Sequence, residues 1–134
     1  MATINEACKH IVEKTEHALA VGIVDLSSGL LLGVHHTIPY FTQSFLDAIA
    51  AAAVDMFRGQ AISAVSEQFA ELNNGEPGPL LQAQMTTDKT HHFMSVIPRN
   101  TNALVVLIMD KNINLKAGWA SLHSAIPELT PFCP

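Results

Sequence analysis

Hydrophobic and polar positions alternate with a helical period at the start of the chain. Ile4, Cys8 and Ile11 recur at spacings of four and three, with polar residues between them. This pattern predicts an amphipathic helix over residues 3–17. The segment TINE at its start has the sequence of a capping box, in which the threonine hydroxyl accepts a hydrogen bond from an amide of the first turn.

Two strands are predicted next. Residues 18–26, ALAVGIVDL, are apolar at both alternating positions, which is typical of a strand covered on both faces. Residues 27–29, SSG, have turn composition because glycine tolerates a positive φ. Residues 30–35, LLLGVH, continue as a second strand.

A long helix is predicted from about residue 43 to residue 72, with Thr42 as its N-cap. It carries two apolar stripes with helical spacing. The first stripe consists of Phe45, Ile49, Ala52 and Met56. The second stripe consists of Ile62, Val65, Phe69 and Leu72. The stripes are out of phase and Gly59 lies between them, so we expect a bend or a slip of the helix at this glycine.

Three strands and a final helix are predicted in the second half. The loop NNGEPGP, residues 73–79, precedes three strand segments, PLLQAQMTT, TTDKTHHFMSVIP and TNALVVLIM. Residues 88–90 and 99–102 are expected to separate the three strands. A last set of apolar residues with helical spacing consists of Leu115, Trp119, Leu122 and Ile126. We expect this helix to begin near residues 112–114 and to end at Pro127.

The predicted order of elements is α-β-β-α-β-β-β-α. Strands 18–26 and 103–109 are apolar on both faces, so they are expected at the centre of a sheet with helices on both sides. The strand over residues 80–87 alternates apolar with polar residues and carries no charge. This composition is typical of an edge strand with little protection against pairing, and the same strand of a second copy can pair with it.

The element order, the hairpin VGIVDLSSGLLLG and the segment ALVVLIMDKNINLKAGWASL resemble the Roadblock/LC7 family over roughly residues 5–128. In that family an apolar last strand runs into an Asp-rich turn with Asn-Leu at the start of the last helix. DKNINL, residues 110–115, fits this pattern, although Ile113 stands where a small residue is common. The chain departs from the family in its longer middle helix and in VHHTIPYF after the second strand.

The resemblance implies an α+β fold in three α/β/α layers, as one domain over residues 1–134. It implies a five-stranded antiparallel sheet in the order 2-1-5-4-3, with one long helix on one face and two helices on the other. Family members dimerise by laying their middle helices together and joining their third strands into one sheet. They act as adaptors, as dynein light chains and as regulators of small GTPases, so the resemblance implies a homodimer with a protein partner of this kind.

We therefore expect a dimer interface made from the third strand and the middle helix. The expected strand residues are Leu81, Gln82, Ala83, Gln84 and Met85. The expected helix residues are Ala52, Met56 and Gln60. Alanines at 48 and 50–53 offer a flat surface that lets another backbone approach closely, but alanine is also the best helix former, and helix propensity explains the run equally well.

Composition excludes several classes of function. Seven basic and twelve acidic residues give a net charge of −5 without a cationic cluster, which argues against binding nucleic acid. The longest apolar run, residues 103–109, is too short to cross a bilayer, and the start of the chain has no signal-peptide pattern. We therefore expect a cytoplasmic protein without membrane insertion, whose Cys8 and Cys133 are reduced thiols.

Histidine doublets at 35–36 and 91–92 are candidate metal ligands. Neighbouring residues on a strand point to opposite faces, and the implied strand order separates the doublets by about 14 Å, so they cannot share one ion within a chain. We interpret them as half-exposed residues at strand ends. His10, Glu13 and His17 share one side of the predicted first helix, but no fourth ligand accompanies them.

No catalytic set is recognisable in the sequence. Cys8 lies on an apolar stripe, where thiols are usually inert, and Asp25 and Asp110 stand where acidic residues cap turns. Neither a nucleophile elbow nor a phosphate-binding glycine loop is present, and Trp119 is expected in the core.

We predict a non-catalytic homodimeric module that needs no metal or cofactor and binds another protein, a small GTPase or its regulatory assembly. Two alternatives remain open. One is a small-molecule sensor, because profilin-like and PAS-like folds are also built on a five-stranded sheet. The other is an enzyme that uses the histidines.

Overall fold

The structure, a computed structural model, describes residues 2–133. The helices and strands follow the predicted order except that two helices occupy the middle of the chain. They are α1 (Ile4–Lys14), β1 (Ala18–Asp25), β2 (Leu31–His36), α2 (Gln43–Arg58), α3 (Gln60–Leu72), β3 (Gln82–Thr86), β4 (Thr90–Ile97), β5 (Asn100–Asp110) and α4 (Leu115–Leu129). A short 3-10 turn, Thr130–Phe132, follows α4.

The five strands form one antiparallel sheet in the order β2-β1-β5-β4-β3. The predicted strand order is therefore confirmed. β1 and β5 lie inside the sheet and are almost continuously buried, because helices cover both of their faces. β2 and β3 are its two edges.

Two hydrophobic cores lie on opposite faces of the sheet. Val21 and Ile23 of β1 point into the core formed with α1 and α4. Ala20 and Val24 point into the core formed with α2. This alternation explains why β1 is apolar on both faces before Asp25, since each large apolar side chain that is fully buried contributes about 1.5–3 kcal/mol.

The predicted bend at Gly59 is a complete break between α2 and α3. Gly59 has a ψ of 166°, outside the helical range, so it caps both helices. Its amide donates to the Asp55 carbonyl at 2.9 Å, and its carbonyl accepts from the Ser63 amide at 3.1 Å. A Cβ at this position would lie 2.2 Å from the Asp55 carbonyl oxygen, so only glycine fits the break without movement.

The prediction that the first apolar stripe of the middle helix is its buried side was wrong by one residue. The residues of α2 that are buried against the sheet are Leu46, Ala50, Ala53 and Phe57. Phe45 and Ala52 are exposed, and Ile49 and Met56 are only partly buried. One residue corresponds to a rotation of about 100°, and because α2 is apolar over much of its circumference, the period alone could not select the buried side.

The bounds of the outer helices also differ from prediction. Pro127 does not end α4, which continues to the fully buried Leu129. Proline removes one amide donor here, but it lies in the last turn, where the amide and the hydroxyl of Thr130 both donate to the Ile126 carbonyl. The first helix ends at Lys14 instead of residue 17, because Thr15 is extended.

Replacement of Gly118 by alanine is predicted to destabilise the fold, although alanine is normally the better helix residue. Its Cβ would lie 2.1 Å from the ring of the fully buried Phe93, and such overpacking costs about 1–3 kcal/mol. The matched change is Gly22→Ala, whose Cβ would meet the Leu31 side chain at 3.4 Å. Thermal unfolding should show a lower midpoint for Gly118→Ala and an unchanged or slightly higher midpoint for Gly22→Ala. Equal midpoints for the two variants would contradict this account.

Candidate self-association surface

The outer margin of β3 has no neighbouring strand. β3 pairs with β4 in a register that places the Val96 amide 3.0 Å from the Leu81 carbonyl. Because inward and outward backbone groups alternate along an antiparallel strand, the amides and carbonyls of Gln82, Gln84 and Thr86 point away from the sheet. Among the described residues nothing covers this margin, so it can accept another strand.

The opposite margin of the sheet, at β2, is blocked. The Asn5 side chain, at the start of α1, accepts a hydrogen bond from the outward amide of Val34 at 3.0 Å. Ile4 packs so closely over Gly33 that a Cβ there would lie 2.8 Å from its side chain. The start of α1 therefore covers part of the β2 margin, and β3 remains the open edge.

The side chains of β3 differ between the two faces of the sheet. Leu81 and Met85 point to the side of α2 and are about half exposed, while Ala83, between them, packs against the core under α2. Gln82 and Gln84 point to the side of α4. The open edge therefore has an apolar face and an amide face.

The apolar stripe predicted for the second half of the middle helix lies on the surface. Phe69 is 67% exposed, Leu72 is 83% exposed, and Val65 is also exposed, whereas Ala70 is the buried residue of α3. α3 is attached to the loop before β3 through Ser66, whose hydroxyl donates to the Gly78 carbonyl at 2.6 Å and accepts from its amide. An exposed apolar stripe of this kind marks an interaction surface.

The segment Gln43–Leu72 is long and apolar enough to cross a membrane by length and composition alone, and 17% of its most apolar window is buried. Two features oppose such a role. The break at Gly59 interrupts the helix, and Asp55 and Arg58 stand beside it near the middle of the segment. We interpret the exposed apolar residues as a protein interface.

The predicted interface residues fall on two sides of the sheet. Those on the α2 side are Leu81, Ala83, Met85, Ala52, Met56 and Gln60. The side chains of Gln82 and Gln84 lie on the α4 side instead, and only their backbone groups face the open margin. The sequence placed Gln82 and Gln84 on the same strand as Leu81 and Met85. It did not distinguish the side chains on the α2 side from the backbone groups that face the open margin.

An exposed aromatic cluster at the start of α2 was not predicted. Tyr40 and Phe41 of this cluster belong to VHHTIPYF, the segment that departs from the family pattern, and Phe45 lies on α2. Phe41 is buried, with the rings of Tyr40 and Phe45 at 5.5 and 4.9 Å from its own. Tyr40 and Phe45 are exposed and form a second apolar patch on the α2 side. Three aromatic residues within six positions were the signal that could have indicated it.

The rings of His91 and His92 point to opposite faces, as predicted. Nδ1 of His91 lies 2.8 Å from the Thr86 hydroxyl on the α4 side. His92 lies on the α2 side, 2.9 Å from the Thr90 hydroxyl, and is only 6% exposed. The interpretation of His92 as half exposed was therefore wrong, because β3 and the α2 side cover it. Its burial lowers the pKa of His92, and nearby His91 lowers it further.

The other histidines do not gather into a metal site. His35 and His36 are both partly buried, and Nδ1 of His36 accepts from the Ile38 amide at 3.2 Å. The expected grouping of His10 and His17 on one helix side was wrong, since α1 ends before His17, which has a φ of +67°. Over residues 2–133, no three metal-ligating side chains lie close enough together to hold an ion.

Cys8 is buried, and desolvation raises its pKa to about 12, with Cys133 adding to the effect. A thiol with so high a pKa is a poor nucleophile. The Asp25 carboxylate accepts from the Ser27 amide and from the hydroxyls of Ser27 and Ser28, and these hydrogen bonds lower its pKa. Asp25 therefore caps the β1–β2 turn, as expected.

Two further residues also behave as predicted. Asp110 Oδ1 accepts from the Asn112 amide at 2.8 Å, so this carboxylate caps the turn that precedes α4. Trp119 packs edge-on against Phe93 at 5.4 Å in the core under α4. Neither residue is placed to carry out chemistry.

Comparison with solved structures shows that the chain has the Roadblock/LC7 fold. It is similar to MglB from Myxococcus xanthus (18% identity, 96% of this chain and 92% of that chain, TM-score 0.65). It is similar to a Roadblock/LC7 domain from Streptomyces avermitilis (15% identity, 98% of this chain and 98% of that chain, TM-score 0.67). It is also similar to an MglB with tetrameric arrangement (17% identity, 98% of this chain and 91% of that chain, TM-score 0.68). No protein-family sequence model and no curated protein matches the chain. The likeness confirms the predicted fold.

The lowered pKa of His92 predicts a loss of stability in mild acid. The unfolded chain binds a proton near the ordinary histidine pKa of 6.5, whereas folded His92 binds it only at lower pH. The contribution of His92 to the free energy of unfolding is therefore fully present above pH 6.5, and it is lost progressively as the pH falls below that value. Urea unfolding at pH 7.5 and 5.5 should show this decrease, and it should be smaller in His92→Gln. The partly exposed His35 provides the control His35→Gln, and an identical decrease in both variants would contradict the assignment.

Proposed function

We propose that the chain is a non-catalytic, homodimeric Roadblock/LC7-like module that binds another protein, a small GTPase or the assembly that regulates one. The observation that carries the proposal is the open margin of β3, together with the apolar stripe of α3 that is exposed to solvent. A folded chain that leaves both a strand margin and an apolar helix stripe without partners is suited to association.

Self-association combines two kinds of contact. Backbone pairing between two β3 strands sets the register, because the outward groups of Gln82, Gln84 and Thr86 meet the same groups of a second copy. Most of the free energy comes from apolar burial of Phe69, Leu72 and their neighbours, at about 25 cal/mol per Å². The symmetry of such a contact is twofold, so it closes at a dimer.

The protein-binding role has three supports. The fold is that of Roadblock/LC7 domains, and the family that the sequence resembles regulates small GTPases. The nucleophile and carboxylate candidates have structural roles, since Cys8 is buried and Asp25 and Asp110 cap turns. The patch of Tyr40 and Phe45 offers exposed aromatic side chains, which are enriched at protein interfaces.

A small-molecule sensor remains the alternative because of one cavity. A cleft of about 570 Å³ lies between the end of α1 and the first half of α4. Its polar lining includes Lys14, His17, Asn112, Asn114, Ser121 and Ser124. This volume suits a small ligand. Native mass spectrometry of the purified protein would reveal a retained compound, and that result would favour the sensor over the adaptor.

Gln84→Pro is predicted to make the protein monomeric without unfolding it. Proline removes the amide of residue 84, which points outward, so the bonds between β3 and β4 remain. Gln84→Ala keeps that amide and should remain dimeric. Sedimentation velocity at tens of micromolar should show a dimer for the wild-type protein and for Gln84→Ala, and a monomer for Gln84→Pro. A monomeric wild-type protein would contradict the proposed homodimer.

A second pair of variants tests the helix contact. Phe69 is 67% exposed and Leu30, in the β1–β2 turn, is 63% exposed, so an acidic residue at either position should leave the monomer folded. Phe69→Asp should weaken the dimer strongly, because it places a charge in an apolar interface, and Leu30→Asp should not. Equal dissociation constants for the two variants would contradict the assigned interface.

The partner is tested by capture from the source cell. Immobilised wild-type protein should retain a small GTPase, identified by mass spectrometry, and the purified GTPase should then bind with a measurable dissociation constant. Tyr40→Ala alters the exposed aromatic patch and should weaken this binding, whereas Leu30→Ala should not. If no GTPase binds at micromolar concentration, the GTPase part of the proposal fails and the dimer is unaffected.

A further inference from the structure

The open margin of β3 is short and its backbone groups are well defined. Leu81 and Thr87, just outside the two ends of β3, are both bonded to β4, through the Leu81 carbonyl at 3.0 Å and the Thr87 amide at 2.9 Å. Because inward and outward groups alternate along the strand, the outward amides and carbonyls belong to Gln82, Gln84 and Thr86. A second copy therefore meets a margin of only these residues.

Twofold symmetry restricts how two such margins can pair. An axis perpendicular to the sheet makes the two β3 strands antiparallel and keeps α2 of both copies on the same face. Hydrogen bonds form only where outward residues of one copy lie opposite outward residues of the other. A shift by one residue would place outward groups opposite inward ones, so the allowed registers differ by steps of two residues.

One register uses every outward group. It places Gln84 opposite Gln84 of the second copy, and Gln82 opposite Thr86. Each of these pairs exchanges two hydrogen bonds, which gives about six across the two strands. A shift by two residues in either direction leaves about four, because one outward residue of each copy then faces a position outside β3.

The side chains on the α2 side favour the same register. It places Met85, which is 40% exposed, opposite the partly buried Ala83 of the second copy, and the symmetry repeats this contact. These are the closer, non-hydrogen-bonded pairs of an antiparallel ladder, at about 4.5 Å between Cα atoms, so side-chain size matters most there. The shifted registers place Met85 opposite Met85, or Ala83 opposite Ala83. A large residue beside a small one fills the space better than either.

The α4 side is compatible with this register and opposes one of the others. Uncharged polar side chains face each other there, Gln84 with Gln84 and Gln82 with Thr86. A shift toward the β3–β4 turn would instead set Lys89 opposite Leu81, which is 53% exposed and apolar. Covering that leucine with a charged side chain from the second copy would be unfavourable.

We propose that Ala83 and Met85 determine the specificity of self-association, by pairing small with large across a twofold axis that passes beside Gln84. This inference rests on the proposed function, because it names the contacts of the same interface. A strand with large residues at both positions, or small residues at both, fits this margin less well. The pair therefore selects a second copy of this chain over another exposed strand.

Cysteine cross-linking locates the axis, because only a residue that lies opposite itself comes within the roughly 4.4–6.8 Å between Cα atoms that a disulfide requires. Cys133→Ser provides the background, since it removes the partly exposed native thiol, and Cys8 is buried. Under mild oxidation with copper phenanthroline, Gln84→Cys should form a covalent dimer on non-reducing electrophoresis. Ala83→Cys alone and Met85→Cys alone should not, but their mixture should do so after subunit exchange.

Each other cross-linking pattern has a different meaning. A covalent dimer of Ala83→Cys alone, or of Met85→Cys alone, would identify one of the shifted registers and overturn this inference, while the proposed dimer would stand. A protein that sediments as a dimer but cross-links in none of these variants would overturn β3 pairing as well. A wild-type monomer at tens of micromolar would overturn both the inference and the proposed homodimer.

A size exchange tests the contact itself. Met85→Ala leaves a space and Ala83→Met overfills one, so each should raise the dissociation constant of the dimer about tenfold or more. The double variant, Ala83→Met with Met85→Ala, restores small against large and should bind within about threefold of the wild type. Gln84→Ala is the control that leaves both positions unchanged.

A double variant that dimerises no better than the weaker single variant would overturn the assignment of specificity to this pair. Ala83 also packs against the core under α2, so circular dichroism must show that each variant is folded. If Ala83→Met does not fold, the cross-linking pattern decides the inference by itself.

Discussion

The association properties of this protein depend on the difference between the two margins of its sheet. Every strand margin presents backbone donors and acceptors that water or protein must satisfy. At β2 the Asn5 side chain bonds to the outward amide of Val34, and α1 fills the adjoining space. At β3 the outward groups of Gln82 and Gln84 have no such cover. The pairing that we propose is therefore directed to one margin, at β3, where a twofold contact between two copies closes at a dimer.

The same asymmetry appears in the hydrophobic layers. The layer under α1 and α4 is complete, with residues such as Cys8 and Leu122 fully buried. The layer on the other face ends with α2, because α3 buries little beyond Ala70 and exposes Phe69 and its neighbours. α3 is linked to the loop before the open strand through the hydrogen bonds between Ser66 and Gly78.

Much of the fold could be predicted because its signals are local. Periods of two and near 3.6 identified the strands and helices, and Gly59 marked the break in the middle helix. The rotation of α2 was missed, since Phe45 and Leu46 are both apolar and only contact with the sheet selects Leu46. The burial of His92 was missed for a similar reason. Its neighbours across the sheet, Met85 and Ile108, come into contact with it only through strand pairing.

The sequence by itself determined the element order, the burial of β1 and β5 on both faces, and the lack of charge or proline protection within residues 80–87. Each of these features follows from residue type and spacing along a short segment. Tertiary structure decided which side of α2 packs, that Asn5 closes the β2 margin, and that His123 meets Gln82. These outcomes depend on pairs of residues tens of positions apart. No local pattern encodes such a pair, since its energy exists only when the folded backbone brings both partners together.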